Sequence, residues 1–96
     1  MLYAQQKVLK GVVLDKQSDE PIPFASVVFK NSHRGMLTDS LGQFQFVLNN
    51  WTDNDTLEIN SVGYTILYIP FQTLKDSSFI TIHIEVQPPK NEVVIK

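Results

Sequence analysis

Apolar and polar residues alternate with a period of two along several short stretches of this chain. The alternation is clearest over residues 78–86, where an isoleucine or valine occupies every second position from Ile80 to Val86. It recurs over residues 43–48, where Phe44 and Phe46 alternate with glutamines. A period of two is typical of a strand with one buried face. Since no stretch shows the helical period, we predict an all-β chain.

Seven such stretches, separated by turn signals at intervals of about 8–12 residues, are predicted to be strands. They cover residues 7–15, 24–30, 36–39, 43–48, 56–61, 65–69 and 78–86. Short strands at this spacing favour a seven-stranded antiparallel β-sandwich made of two sheets. A small closed barrel is the alternative. The residues predicted to be buried in the core include Phe44, Phe46, Ile59, Ile82 and Ile84.

The turn between the third and fourth predicted strands has the clearest local signature. Asp39 stands at its first position and Gly42 at its fourth, as type I turns favour. Asp39 is predicted to accept hydrogen bonds from backbone N–H groups of its own turn. Gly42 and Gly63 are predicted to adopt positive φ or tight turns. Gly11, in the first strand, indicates a bulge or a close approach of another backbone.

Composition and charge narrow the classes of function. The chain has 96 residues, of which 43% are hydrophobic and 19% charged, as expected for one globular domain. A net charge of −2 gives no basic surface for nucleic acid or anionic lipid. The absence of cysteine excludes disulfides, thiolate metal sites and a cysteine nucleophile. No run approaches the roughly 20 apolar residues of a membrane span, so this domain is not expected to insert into a membrane.

The two ends of the chain differ in character from its centre. Residues 1–6 are interpreted as the remnant of a secretory signal peptide, with Ala4 before the cleavage point, or as a polar, disordered N-terminus. Residues 7–86 form the predicted domain. Residues 87–96 are predicted to be a linker stiffened by two prolines, followed by the start of a further segment. Its β-prone end, 92–96, is expected to be weakly ordered or to pair with an edge strand of another copy.

Few residues could carry chemistry. His33 lies in a loop beside an arginine, but a general base needs a nucleophile or substrate clamp around it, so no catalysis is expected there. His33 and His83 are distant in sequence, which does not favour zinc. Asp53, Asn54 and Asp55 are weak candidates for calcium ligands, and an ordinary turn rich in Asp and Asn is the favoured alternative.

Trp51 is the only tryptophan and lies in a polar loop predicted over residues 49–55. Aromatic area is usually buried, so one interpretation is that Trp51 covers the open end of the core. The other is that an exposed Trp51 stacks on a sugar ring, which would make the chain a carbohydrate-binding module.

Five short motifs carry a family resemblance. They are Gly11-x-Val13-x-Asp15, Pro21-Ile22-Pro23-Phe24-Ala25-Ser26-Val27, Thr38-Asp39-x-x-Gly42-x-Phe44, Asp55-Thr56-Leu57 and Val62-Gly63-Tyr64. In this order and spacing the chain resembles the carboxypeptidase regulatory-like domain over roughly residues 8–86. The resemblance implies a transthyretin-like, immunoglobulin-like sandwich. Structural roles are expected for the motif residues, which are Gly11, Asp15, Pro23, Asp39, Gly42, Phe44, Gly63 and Tyr64.

Two further expectations concern the role of Tyr64 and whether this chain has an enzymatic activity. Tyr64 is expected to pack its ring in the core and to bond its hydroxyl to nearby backbone, as the tyrosine corner does. Transthyretin-like hydrolases of hydroxyisourate also need a C-terminal Tyr-Arg-Gly-Ser, which has no counterpart here. No enzymatic activity and no cofactor are therefore expected.

Domains of this family are common at the N-terminus of TonB-dependent receptors and related outer-membrane proteins of Bacteroidota. The segment Glu92-Val93-Val94-Ile95 resembles the link to the next domain in those receptors. The resemblance thus implies a non-catalytic accessory domain in the periplasm or at the cell surface. Its expected partners are neighbouring domains of a larger protein, with a further protein or a glycan as the other partner considered.

Overall fold

A computed structural model describes residues 7–48, 54–74 and 76–88 of the chain. Those residues contain seven strands and one short 3₁₀ helix, η1 (Phe71–Thr73). The strands are β1 (Lys7–Asp15), β2 (Ser26–Phe29), β3 (Arg34–Leu37), β4 (Gln43–Leu48), β5 (Thr56–Asn60), β6 (Leu67–Pro70) and β7 (Phe79–Ile84). The prediction of seven strands is confirmed. In this described part, no helix is both long and apolar enough to cross a membrane.

The strands form two sheets, which confirms the predicted sandwich. One sheet has the order β4-β1-β7 and the other has the order β3-β2-β5-β6. The prediction of wholly antiparallel pairing is wrong at one place, because β1 and β7 run parallel, from Lys10 beside Phe79 to Asp15 beside Ile84. The chain leaves the second sheet at β6, crosses through η1 and enters the first sheet alongside β1. A parallel pair needs such a crossover connection.

The core lies between the two sheets and is built from the inward positions of the strands. Phe29 is central to it, since its ring makes edge contacts with the rings of Phe46 and Phe71 at centroid distances of 4.9 and 5.6 Å. The five core residues predicted from the alternation are all buried. The complete set of buried apolar side chains in the described part is Leu9, Val13, Ile22, Ala25, Val27, Phe29, Phe44, Phe46, Leu57, Ile59, Phe71, Ile80, Ile82 and Ile84.

Gly11 shows how closely the first sheet packs. It pairs in regular register with Phe44 on one side and Ile80 on the other, so the bulge considered for this position is absent. A Cβ atom on Gly11 would lie 2.4 Å from Cζ of Phe44 and 2.8 Å from the carbonyl oxygen of Ile80. The close approach is therefore the correct interpretation, and the glycine leaves room for the Phe44 ring.

Strand boundaries differ from the predicted ones where turns take residues out of the sheets. The second strand begins at Ser26 rather than Phe24, because residues 23–24 form a turn. The third strand begins at Arg34 and ends at Leu37, before the buried Thr38. The sixth and seventh strands are also shorter than predicted. Predictions for residues 1–6, Trp51, Asp53 and 89–96 lie outside the described residues.

Candidate functional site

The polar motif residues lie mainly in turns and loops, and the first of them, Asp15, ends β1. Oδ1 of Asp15 accepts hydrogen bonds from the backbone N–H groups of Gln17 and Ser18 at 2.8 and 3.0 Å. Its Oδ2 accepts a hydrogen bond from the hydroxyl of Tyr64 at 2.6 Å. The expectation that Tyr64 bonds to backbone is therefore wrong. The hydroxyl meets a carboxylate, which ties the end of β1 to the turn before β6.

The hydrogen bond between Tyr64 and Asp15 shifts the pKa values of the two side chains in opposite directions. The hydrogen bond from Tyr64, followed by the bond from the N–H of Ser18, holds the pKa of Asp15 below its ordinary value. The same bond to Asp15, together with burial, raises the pKa of Tyr64 above its ordinary value. Each shift favours the protonation state in which a hydroxyl donates to a carboxylate. The pair thus links two segments and keeps both groups in their neutral-pH forms.

Asp39 organises the turn between β3 and β4. Its carbonyl oxygen accepts a hydrogen bond from the N–H of Gly42 at 2.9 Å, which closes the turn. Its Oδ1 accepts bonds from the N–H groups of Leu41 and Gln43, both at 2.9 Å. Gly42 has a φ of 74°, and a Cβ there would lie 2.7 Å from the carbonyl oxygen of Val13. This turn has the hydrogen bonding predicted for it.

A second turn, before β2, carries a residue type that its backbone conformation does not favour. Pro23 and Phe24 occupy the two central positions of this turn, and Phe24 has a φ of 60°. A positive φ at the second centre is the type II pattern, which glycine normally fills. The Thr38 hydroxyl bridges the two sides of this turn, since it donates to the carbonyl of Ile22 at 2.7 Å and accepts from the N–H of Ala25 at 2.9 Å.

Asp55, one of the three calcium candidates, has a carboxylate that accepts hydrogen bonds from the chain itself. Its side chain is buried, and Oδ1 accepts hydrogen bonds from the backbone N–H groups of Asn31 and Thr56, both at 2.8 Å. Oδ2 accepts from the hydroxyl of Ser32 at 3.1 Å. Burial raises the pKa of Asp55, but these hydrogen bonds outweigh burial, so the pKa lies below its ordinary value. The carboxylate anchors the loop that follows β2.

The remaining candidates do not converge on one place. Asn54 is exposed, and its carbonyl oxygen accepts a hydrogen bond from the amide of Asn31 at 3.2 Å. His33 is exposed in the loop before β3, whereas His83 lies on the outer face of β7, in the other sheet. Within the described residues, no three His, Asp or Glu side chains are grouped so that they could hold a metal ion.

Two contacts were missed by the sequence interpretation. His83 Nε2 lies 2.9 Å from Oδ1 of Asp19, and an Arg34 side-chain nitrogen donates to the carbonyl of Val47 at 3.2 Å. Neither pair has a sequence signal, because the partners are 64 residues apart in the first pair and 13 residues apart in the second. The strained Phe24 turn has no ordinary sequence signal either, because a type II turn normally carries glycine at the position that Phe24 occupies.

Comparison with known protein families adds one finding to this geometry. A family model described as CarboxypepD_reg-like domain matches residues 9–95. The match includes the Asp15, Asp39 and Asp55 loops and all the turns described above. The comparison with curated proteins gave no match.

Proposed function

This chain belongs to the CarboxypepD_reg-like domain family, and we propose that it is a non-catalytic accessory domain. Its task is to hold, space or dock a neighbouring domain of a larger bacterial protein that is secreted or located in the outer membrane. Domains of this family are regulatory immunoglobulin-like modules, which supports the proposed class of function. The resemblance of the motifs to those of TonB-dependent receptors supports the proposed cellular location.

One observation carries the proposal for the role of the domain. The carboxylates of Asp15, Asp39 and Asp55 each accept two or three hydrogen bonds from the chain's own loops. A general base works best with a pKa near the working pH, which burial or a like charge would supply by raising it. The pKa values of Asp15 and Asp55 move in the other direction. These side chains are thus suited to fixing loops.

The proposal is tested by joining the domain to the polypeptide that adjoins it in its gene. Calorimetry on the joined protein and on each part alone would measure whether the two units stabilise one another. We expect this 96-residue domain to melt several degrees higher when joined, since about 1 kcal/mol shifts the melting temperature of a domain of this size by about 4–8 °C. Melting curves of the joined protein that equal the sum of the separate parts would contradict a holding or docking role and leave spacing alone.

A sugar titration provides the matched test of the alternative function. Trp51 is the only tryptophan, so its fluorescence reports on the loop that a carbohydrate-binding module would use. We expect no saturable change with soluble oligosaccharides. A saturable shift in the original chain that Trp51→Ala abolishes would favour the carbohydrate-binding function over the accessory one.

A further inference from the structure

The last strand, β7, is an edge of the first sheet, with β1 on one side and no described strand on the other. The N–H of Lys10 donates to the carbonyl of Ser78 at 3.1 Å, which sets the hydrogen-bonding phase of this parallel pair. Alternate residues of a parallel strand bond to the same neighbour, so the backbone N–H and C=O groups of Phe79, Thr81 and His83 point away from β1. Among the described residues these backbone groups have no partner.

Two other edge strands have features that protect their backbone, and β7 lacks them. In β4, the N–H of Gln43 donates to Oδ1 of Asp39, and its carbonyl accepts from the N–H of Asp39, both at 2.9 Å. In β6, Pro70 has no N–H, and its carbonyl accepts from the hydroxyl of Thr73 at 2.7 Å. The strand Phe79–Ile84 contains no proline and no Asp, Glu, Lys or Arg. An edge without such protection readily pairs with another strand.

The side of the sandwich next to this edge is also incompletely covered. The side chain of Arg34, in β3, bonds to Val47, in β4, so β3 and β4 share one side and the strand orders place β6 and β7 on the other. Leu67 and Ile69, in β6, are half-buried and pack against the core. The side formed by β6 and β7 therefore combines an open backbone edge with partly covered apolar side chains.

The free edge of β7 is complementary to a second copy of itself. When two β7 strands run antiparallel about a two-fold axis at Thr81, Phe79 of one copy lies opposite His83 of the other. The outward-pointing backbone groups then fall where antiparallel strands exchange both hydrogen bonds. Thr81 lies opposite Thr81, and the exposed ring of Phe79 lies beside an imidazole, which are pairs that stabilise adjacent strands. No like charges of the two strands meet.

We propose that the free edge of β7 binds β7 of a second copy of this chain. The two three-stranded sheets then join into one continuous sheet in a symmetric dimer. The contact covers the side chain of Phe79, which is 53% exposed. It goes beyond the accessory role, because it brings together two copies of the protein that carries this domain. A single strand pair is a small interface, so the dimer dissociates at low concentration.

The first test is sedimentation equilibrium of the full chain at neutral pH, up to about 1 mM. We expect a monomer–dimer equilibrium. Thr81→Lys places two like charges opposite each other at the axis and should weaken the dimer roughly tenfold or more. Leu37→Lys makes the same change in net charge at an exposed residue of β3 and should leave the dissociation constant unchanged. An original chain that stays monomeric, or a dimer that Thr81→Lys does not weaken, would overturn the proposal.

A mixing experiment tests the position of the axis. Thr81→Asp alone should also remain monomeric, but an equimolar mixture with Thr81→Lys should dimerise, because opposite charges then face each other. The mixture of Thr81→Asp with Leu37→Lys is the matched control and should not form this dimer. Equal association in the two mixtures would contradict pairing through Thr81.

Amide hydrogen exchange in the original chain tests the same contact residue by residue. The N–H groups of Phe79, Thr81 and His83 should exchange more slowly as the protein concentration rises, because they become bonded only in the dimer. Those of Ile80 and Ile82 bond to β1 within one copy, so their exchange should not change in this way, and their protection in every variant shows that the fold is intact. Exchange at Thr81 that is independent of concentration would overturn the proposal.

Discussion

Several turns in the described part of the chain place a residue in the left-handed region of backbone space, and two of them do so with contrasting residue types. The turn between β3 and β4 uses Gly42, with a φ of 74°, and it is closed by three hydrogen bonds to Asp39. The turn before β2 uses Phe24, with a φ of 60°, and its ring is largely exposed. Glycine adopts such angles without a steric penalty, whereas phenylalanine does not.

The comparison separates residues that serve the fold from residues that serve contact. At Gly42 there is no room for a side chain, so the sequence and the packing agree. At Phe24 the backbone favours glycine, and an aromatic residue is present instead. Local rules are broken most often at functional sites. The exposed surface around Phe24 is therefore the part of the domain where we look for function.

The largest expected effect compares a buried phenylalanine with the exposed one. Phe44 is 4% exposed and its ring fills the space above Gly11. Phe44→Ala should lower the free energy of unfolding by about 3–5 kcal/mol, as large-to-small core changes do. Phe24→Ala should change it by less than about 1 kcal/mol. Denaturant unfolding measures both, and equal losses in the two variants would show that the two rings have the same structural role.

Replacing Gly42 tests the turn between β3 and β4 directly. Gly42→Ala combines positive φ with a Cβ that would lie 2.7 Å from the carbonyl oxygen of Val13. We expect a loss of about 2–4 kcal/mol, since strain at positive φ adds to overpacking. The thermal midpoint and the denaturant midpoint should both fall. A variant as stable as the original chain would show that the turn can move away from β1.

Thr38 supports the strained turn, and its hydroxyl can be removed with little change in shape. Thr38→Val leaves the carbonyl of Ile22 and the N–H of Ala25 without their partner in a buried place. The expected loss in unfolding free energy is about 1–3 kcal/mol. Thr38→Ser, which keeps the hydroxyl, is the control. If valine and serine behave alike, the bridge does not hold the turn.

Acid should affect the carboxylate-anchored loops and leave the Phe24 turn alone. The folded-state pKa values of Asp15 and Asp55 are depressed, so the stability they add is complete above the ordinary value, near pH 4. It is lost as the pH falls through their folded-state values. Melting temperatures measured from pH 6 to about pH 2.5 should therefore stay level down to about pH 4 and decrease at lower pH. The fall should be shallower in Asp55→Asn and unchanged in Phe24→Gly, and a parallel fall in all three proteins would contradict this assignment.

The strands and the turn between β3 and β4 could be predicted because their sequence signals are local. Alternating residues give strands, and Asp39 with Gly42 gives the turn. The parallel pairing of β1 with β7 could not be predicted, since nothing local records which strand a distant strand joins. The partners of Tyr64 and His83 depend on the same long-range topology. The strained turn was missed because a phenylalanine after proline gives no ordinary turn signal.

The most direct test of the account is the stability of Phe24→Gly in the full chain. The Phe24 ring is largely exposed and lies outside the buried core, so the substitution changes mainly the backbone strain and the chain entropy. Relief of strain of about 1–2 kcal/mol outweighs the entropic cost of glycine, about 0.5–1 kcal/mol. We therefore predict an unfolding free energy equal to the parent's or up to about 1 kcal/mol higher. A loss of more than about 1 kcal/mol would show that Phe24 serves the fold rather than a contact.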